Sequence, residues 1–182
     1  MRSLAAALAL LIGLAGADSA SAQETFAPTR IEIRAGVLAH DVPGLWSGFR
    51  LESGVDINAE LLLGPGVAFL GGTVRPVIGG SVNTAGGTSK AYLDARWEFD
   101  TSCGIFFGLG VGAAIHDGNL DASDPDRKAL GSRVLFHIPI EVGYRFDERR
   151  SVSVFFEHMS NGNFADSNEA LDSIGVRYGH RF

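Results

Sequence analysis

From Lys90 to Asp100 the chain reads KAYLDARWEFD, with Ala91, Leu93, Ala95, Trp97 and Phe99 on one parity and Tyr92, Asp94, Arg96 and Glu98 on the other. A period of two is the side-chain period of a β-strand, and no helix can present such a pattern as one apolar face. The alternation recurs. Ile31, Ile33, Ala35 and Val37 oppose Glu32 and Arg34, and Val55, Ile57, Ala59 and Leu61 oppose Asp56, Asn58 and Glu60. A weaker third segment spans 73 to 82, a fifth sets Ile105 to Ile115 against a glycine-rich face, and a sixth sets Val134 to Phe146 against Arg133, His137, Glu141 and Arg145. The last two are SVSVFFEHMS, residues 151–160, and the stretch in which Ile174, Val176, Tyr178, His180 and Phe182 alternate with Ser173, Gly175, Arg177 and Arg181.

Counting KAYLDARWEFD as the fourth gives eight segments, each near the ten or so residues that a tilted strand needs to cross a bilayer. An even number of such strands closes without a free edge, which predicts an all-β, eight-stranded antiparallel transmembrane barrel of the bacterial outer membrane. The charged parity must then face a narrow lumen, where Asp94, Arg96, Glu98, Arg34 and Glu60 can pair, and the apolar parity must face lipid. A soluble eight-stranded barrel would have the opposite polarity. Pro76 and Pro139 fall inside strands and each removes a ladder donor, so a bulge or strained register is expected at both.

The N-terminus agrees with export. Residues 1–22 combine Arg2, an apolar run from Leu4 to Leu14 and a small-x-small ending at Ala20-Ser21-Ala22, which reads as a signal peptide cut before Gln23. The expected mature domain is the barrel over residues 23–182. The lone Cys103 has no intrachain partner and reads as a structural free thiol. A net charge of −6 without a Lys/Arg cluster argues against a nucleic-acid partner. With both termini on the periplasmic side, residues 41–54, 83–89, 117–131 and 161–171 become external loops, and residues 64–72, 100–103 and 147–150 become periplasmic turns.

Parity also places the chemistry. His158 and Ser160 continue the lipid-facing row of Val152, Val154 and Phe156, at the external end of the seventh segment. One step above Ile174 on the eighth, the same face reaches Asp172. Cross-strand neighbours lie about 5 Å apart and same-face residues about 7 Å, so a nucleophile, a base and an acid can meet on one patch of the outer wall. In that arrangement His158 would take the proton of Ser160, Asp172 would orient the imidazole, and Asn161 with the backbone at Gly162 would be adjacent to a developing oxyanion. Glu169 is the alternative acid, but it precedes the alternation. Polar residues where hydrocarbon gives way to headgroups also occur without any catalytic role, so the pattern alone leaves a structural reading open.

The stretch His158-Met159-Ser160-Asn161-Gly162-Asn163, followed about a dozen residues later by an acid and the last strand, resembles the outer-membrane lipid A 3-O-deacylase family. The resemblance implies an eight-stranded outer-membrane barrel that hydrolyses the 3-linked acyl ester of lipid A with a Ser–His–acid site and without a metal or cofactor. By it, Ser160 is the nucleophile, His158 the base and Asn161 an oxyanion contributor. The best-known members carry Glu where spacing puts Asp172. The expected partner is the lipopolysaccharide of the surrounding leaflet, with a homodimer left open. A non-enzymatic barrel with a structural or adhesive role is the alternative.

Elsewhere, His40, His116 and His137 read as interior histidines. Asp117, Asp121, Asp124 and Asp126 lack the spacing of a calcium loop. Arg50, Lys90, Arg127 and Lys128 read as charges near the external loops, and Trp46 and Phe49 suit an interfacial belt or substrate contact.

Overall fold

The computed structural model describes residues 31–48 and 51–182; residues 1–30, which hold the expected signal peptide and Arg30, lie outside the described residues, as do Phe49 and Arg50. Nine strands are found among them: β1 (Glu32–Ala39), β2 (Val55–Leu62), β3 (Val67–Phe69), β4 (Gly72–Asn83), β5 (Lys90–Asp100), β6 (Ile105–His116), β7 (Val134–Arg145), β8 (Arg150–Ser160) and β9 (Leu171–Arg181). Each pairs antiparallel with its neighbour, β9 returns to β1, and β2 pairs with β4, so eight strands close into a barrel and β3 extends one wall of it.

The alternation sets the polarity as expected. Lys90, Tyr92, Asp94, Arg96 and Glu98 are buried in the lumen, whereas Leu93 on the opposite face of the same strand is 61% exposed, as is Val111 on β6. Water around so wide an apolar band would cost about 25 cal/mol for every Å² left exposed, and hydrocarbon removes that cost. The fold is therefore that of a membrane-spanning barrel.

Charge inside is compensated residue by residue. Arg34 meets Glu32, Glu98 and Glu141; Arg177 lies 2.6 Å from Glu60 and 2.7 Å from Glu141; Arg96 lies 2.9 Å from Glu60. The Arg177 and Arg96 guanidinium groups also sit over the Phe155 ring, at 3.5 and 5.5 Å. Nearer the end that carries the longer loops, Lys90 bridges Asp56 and Glu157, and His137 bridges Asp94 and Glu157 at 2.8 and 2.9 Å with Tyr92 stacked on it. Buried ions persist only when paired in this way. These side chains fill the lumen, in keeping with the small bore of eight strands.

The glycine face of β6 makes room for the network, since a Cβ at Gly112 would lie 2.1 Å from both Asp94 Oδ1 and the Leu93 carbonyl. The prolines behave differently from one another. Six residues of the β2–β3 wall, from Leu62 to Val67, face four of β4, from Val77 to Val74, so two extra residues are accommodated beside Pro76. Pro139 instead keeps its register with β6 on both sides, and a Cβ at the facing Gly110 would lie 2.7 Å from the proline ring. No bulge forms there: a glycine opposite absorbs the ring. The expected turn at 64–72 also holds more structure than a turn. It includes β3 and reverses at Leu70 and Gly71, both at positive φ, as a two-residue hairpin requires.

At the end of the barrel that carries the longer loops, Tyr92, Ala114, Leu130, Leu135, Met159 and Leu171 form a small apolar cluster into which the β6–β7 loop lowers Leu130. The loops above this cluster are tied to one another by hydrogen bonds.

Candidate active site

His158 and Asp172 are direct partners in the β8–β9 ladder, and Phe136 of β7 is the partner of Ser160, the last residue of β8. Their shared parity places all of them on the outer wall. The imidazole lies between the other two groups: Nδ1 is 2.7 Å from Asp172 Oδ1, and Nε2 is 3.1 Å from Ser160 Oγ. A carboxylate only accepts, so Nδ1 carries the proton of the neutral ring and Nε2 presents its lone pair to the Ser160 hydroxyl. That is the connectivity of a nucleophile, a base and an orienting acid.

Outer-wall placement does not leave the group open. Asp172 is fully buried and His158 is 8% exposed, because the β1–β2 loop folds down over them. Pro43 and Gly44, the latter at φ +80, reverse the chain. Trp46 and Ser47 then donate their main-chain N–H groups to Asp172 Oδ2 at 2.7 and 2.6 Å, and the Val42 N–H donates to the Asp172 carbonyl at 2.9 Å. The Trp46 indole stands edge-on to His158, ring centres 5.1 Å apart, and to Phe156 at 5.6 Å, while remaining 57% exposed on its outer side. Trp46 suits an interfacial or substrate role by sequence, and nothing in its neighbours foretells the two amides that grip Asp172. Pro43-Gly44 is the one local signal of this reversal.

Beyond Ser160 the chain makes a tight turn, with Gly162 and Asn163 both at φ +65 and the Phe164 N–H donating to the Asn161 carbonyl at 3.2 Å. Two consecutive left-handed residues and this bond define a type I′ geometry. The Asn161 side chain is fully engaged elsewhere, since Nδ2 donates to the Leu130 and Ser167 carbonyls and Oδ1 accepts from the Asn163 N–H. It braces the β8–β9 loop against the β6–β7 loop and has no side-chain donor left for an oxyanion. The Gly162 N–H lies outside the turn's own hydrogen bond. Glu169, the alternative acid, accepts from the Ala129 N–H at 2.8 Å, so its carboxylate serves the β6–β7 loop while Asp172 holds His158.

The other singled-out residues fall away from this patch. His40 lies between Asp56 and Glu52, and His116 bonds the Ser132 carbonyl. Lys90 and Lys128 are buried rather than superficial. Burial alone would raise the Glu52 carboxyl, but hydrogen bonds from His40 and from the Lys128 and Thr88 amides hold it down at about 2. Burial likewise opposes the charge of His40, yet its bonds to Asp56 and Glu52 win and raise its pKa. Among the described residues no group of three His, Cys, Asp or Glu side chains is arranged to hold a metal ion.

Several known proteins share this architecture. The crystal structure of the outer-membrane enzyme PagL superposes with a TM-score of 0.60 at 19% identity, covering 83% of this chain and 98% of that one. The N-terminal β-barrel domain of Pseudomonas aeruginosa OprF gives 0.56 at 15% identity over 84% and 97% of the two chains, and Neisserial surface protein A gives 0.54 at 11% over 87% and 100%. At these identities the likeness concerns the fold. No curated protein matches the chain. Residues 34–181 match the family described as lipid A 3-O-deacylase (PagL), a span that includes every strand from β2 to β9 and the His158–Asp172 patch, and the chain belongs to that family.

Proposed function

We propose that the protein is an outer-membrane lipid A 3-O-deacylase, a serine esterase that hydrolyses the 3-linked acyl ester of lipid A from within the leaflet that holds it. The observation that carries this reading is the single imidazole joined to Asp172 at 2.7 Å and to Ser160 at 3.1 Å on an otherwise apolar outer wall. Lipid A keeps its acyl chains in hydrocarbon, so a site on the barrel exterior meets the ester without extracting it.

In the reaction, His158 Nε2 takes the Ser160 proton as Oγ attacks the ester carbonyl. The imidazolium then shares its Nδ1 proton with Asp172, whose charge stabilises it. Collapse of the tetrahedral intermediate transfers the Nε2 proton to the departing 3-oxygen of the sugar and leaves an acyl-Ser160 ester. Water arriving from the headgroup side is deprotonated by His158 and attacks this ester, and the Nε2 proton returns to Ser160 Oγ as the free fatty acid leaves. The Gly162 N–H, one residue beyond Asn161, is the candidate donor to the oxyanion, with Asn161 holding the turn that aims it. Phe136 beside Ser160 and Trp46 over His158 form apolar flanks for the acyl chain.

Mass spectrometry of lipid A from cells expressing the protein or Ser160→Ala tests the reading. The expected result is loss of one hydroxyacyl group with the first and an unchanged lipid A with the second. Deacylation by folded Ser160→Ala would overturn it, and unchanged lipid A with both would favour a structural or adhesive barrel.

A further inference from the structure

Lys128 sits in the β6–β7 loop, outside the triad, and is fully buried. Its Nζ donates to the Gly48 carbonyl at 2.8 Å and to the Glu169 carbonyl at 3.1 Å, and pairs with Asp41 Oδ1 at 3.2 Å. Two of its hydrogens thus meet carbonyls, and its charge meets a carboxylate. Their positions matter more than their number. The segment that grips Asp172 runs from Val42 to Ser47, and Asp41 and Gly48 are the residues that bracket it. One ammonium holds both ends of that segment. Its third partner, Glu169, lies three residues before Asp172 on the chain that leads into β9.

The rest of the cap leans on the same point. Asp41, at the strained φ of 50, accepts the Glu52 N–H through Oδ2, and Glu52 in turn accepts from the Thr88 and Lys128 N–H groups. Four loops therefore meet around Lys128 and Glu52. Without the ammonium, Asp41 would be buried without its cation and the Gly48 carbonyl would lose its donor, and the 42–47 segment would gain the freedom to leave Asp172.

Resting on the esterase reading above, we propose that Lys128 is a positioning residue for deacylation: it clamps the Val42–Ser47 segment so that the Trp46 and Ser47 amides occupy Asp172 Oδ2, leaving Oδ1 to orient His158. The role is exerted wholly through Asp172, which makes it separable from a general structural one.

The test uses the full-length barrel purified in detergent, with lipid A in mixed micelles as substrate and heat-modifiable gel mobility as the check of folding. Lys128→Met keeps the stem and removes the donors. It is expected to lower kcat about 10- to 100-fold, the usual range for loss of an orienting partner, with KM changed by less than about twofold. In an Asp172→Ala background the same substitution is expected to cost less than about twofold, because the group through which Lys128 acts is gone. A full kcat in Lys128→Met, or an undiminished loss in the Asp172→Ala background, overturns the proposal. Should Lys128→Met not fold, Lys128→Cys alkylated with bromoethylamine during refolding, in a Cys103→Ser background, restores the ammonium; recovery of kcat relative to an uncharged alkyl adduct supports the clamp, and equal rates for the two adducts overturn it. Ser160→Ala run in parallel separates the failures: its activity would sink the esterase reading itself, whereas its inactivity beside a fully active Lys128→Met sinks only the clamp.

Discussion

Asp172→Asn is the most informative single substitution, because the hydrogen-bond inventory at that side chain leaves the amide no acceptable orientation. Asp172 accepts three donors while fully buried: the Trp46 and Ser47 amides on Oδ2 and the His158 Nδ1–H on Oδ1. An asparagine has one oxygen and one NH₂. With its oxygen toward the loop, the NH₂ faces His158 Nδ1, the imidazole must accept there, and its proton moves to Nε2, where it confronts Ser160 and abolishes the base. With its oxygen toward His158, the NH₂ meets two N–H groups that have nowhere else to donate. The first orientation leaves one contact to be reversed and the second leaves two amides unpaired, so the wrong imidazole tautomer is the expected outcome. Substitution of the acid in a triad by its amide costs roughly 10⁴-fold in kcat. Allowing for an ester more reactive than a peptide, about 10³- to 10⁴-fold is expected here, or about 4–5.5 kcal/mol of lost transition-state stabilisation. Initial rates of fatty-acid release from purified lipid A, with folded protein quantified by gel mobility, measure it. Glu169→Gln is the matched control and should stay within about threefold, since that carboxylate serves the Ala129 amide. An Asp172→Asn enzyme within tenfold of the parent, or a Glu169→Gln loss that exceeds it, would refute the assignment of the acid.

The remaining expectations concern the flank, the lumen and the cap. Trp46→Ala removes edge-on contacts to His158 and Phe156 and should lower kcat/KM by about 1–2 kcal/mol, five- to thirtyfold, mostly through KM; an unchanged KM for lipid A would show that the indole is no part of the acyl flank. Gly112→Ala drives a methyl group into Asp94 and the Leu93 carbonyl and should destabilise the barrel by about 3 kcal/mol in urea refolding into vesicles, with parental stability as the contrary result. The Glu52 carboxyl, held at about 2, stabilises the loop cap only while ionised, so that contribution is whole above about 4.5 and disappears as the pH falls from there through 2. Protease cleavage of the external loops should rise across that window and flatten in Glu52→Gln. His40, whose pKa is raised, acts in the opposite sense: its contribution is whole below 6.5 and fades as the pH climbs through its folded value.

What the sequence determined by itself was whatever depends on the two-residue period of a strand. That period is local, so Leu93 outward and Asp94 inward could be read from neighbours alone, and so could the shared face of His158, Ser160 and Asp172. Even the preference for Asp172 over Glu169 at the imidazole was a matter of parity, and the ladder sets Asp172 directly opposite His158. Pro139 marks where local reasoning stops, because the glycine that accommodates it, Gly110, is supplied by another strand. The loops were decided by tertiary structure entirely. Lys128 looked like a surface charge, Trp46 like an interfacial aromatic and Asn161 like an oxyanion donor, yet each has its partners 30 or more residues away or across a loop: Lys128 at Gly48, Trp46 at Asp172 and Asn161 at Leu130. A loop has no period to announce which of its groups will be buried, and a buried donor takes whichever carbonyl the closed barrel brings within reach.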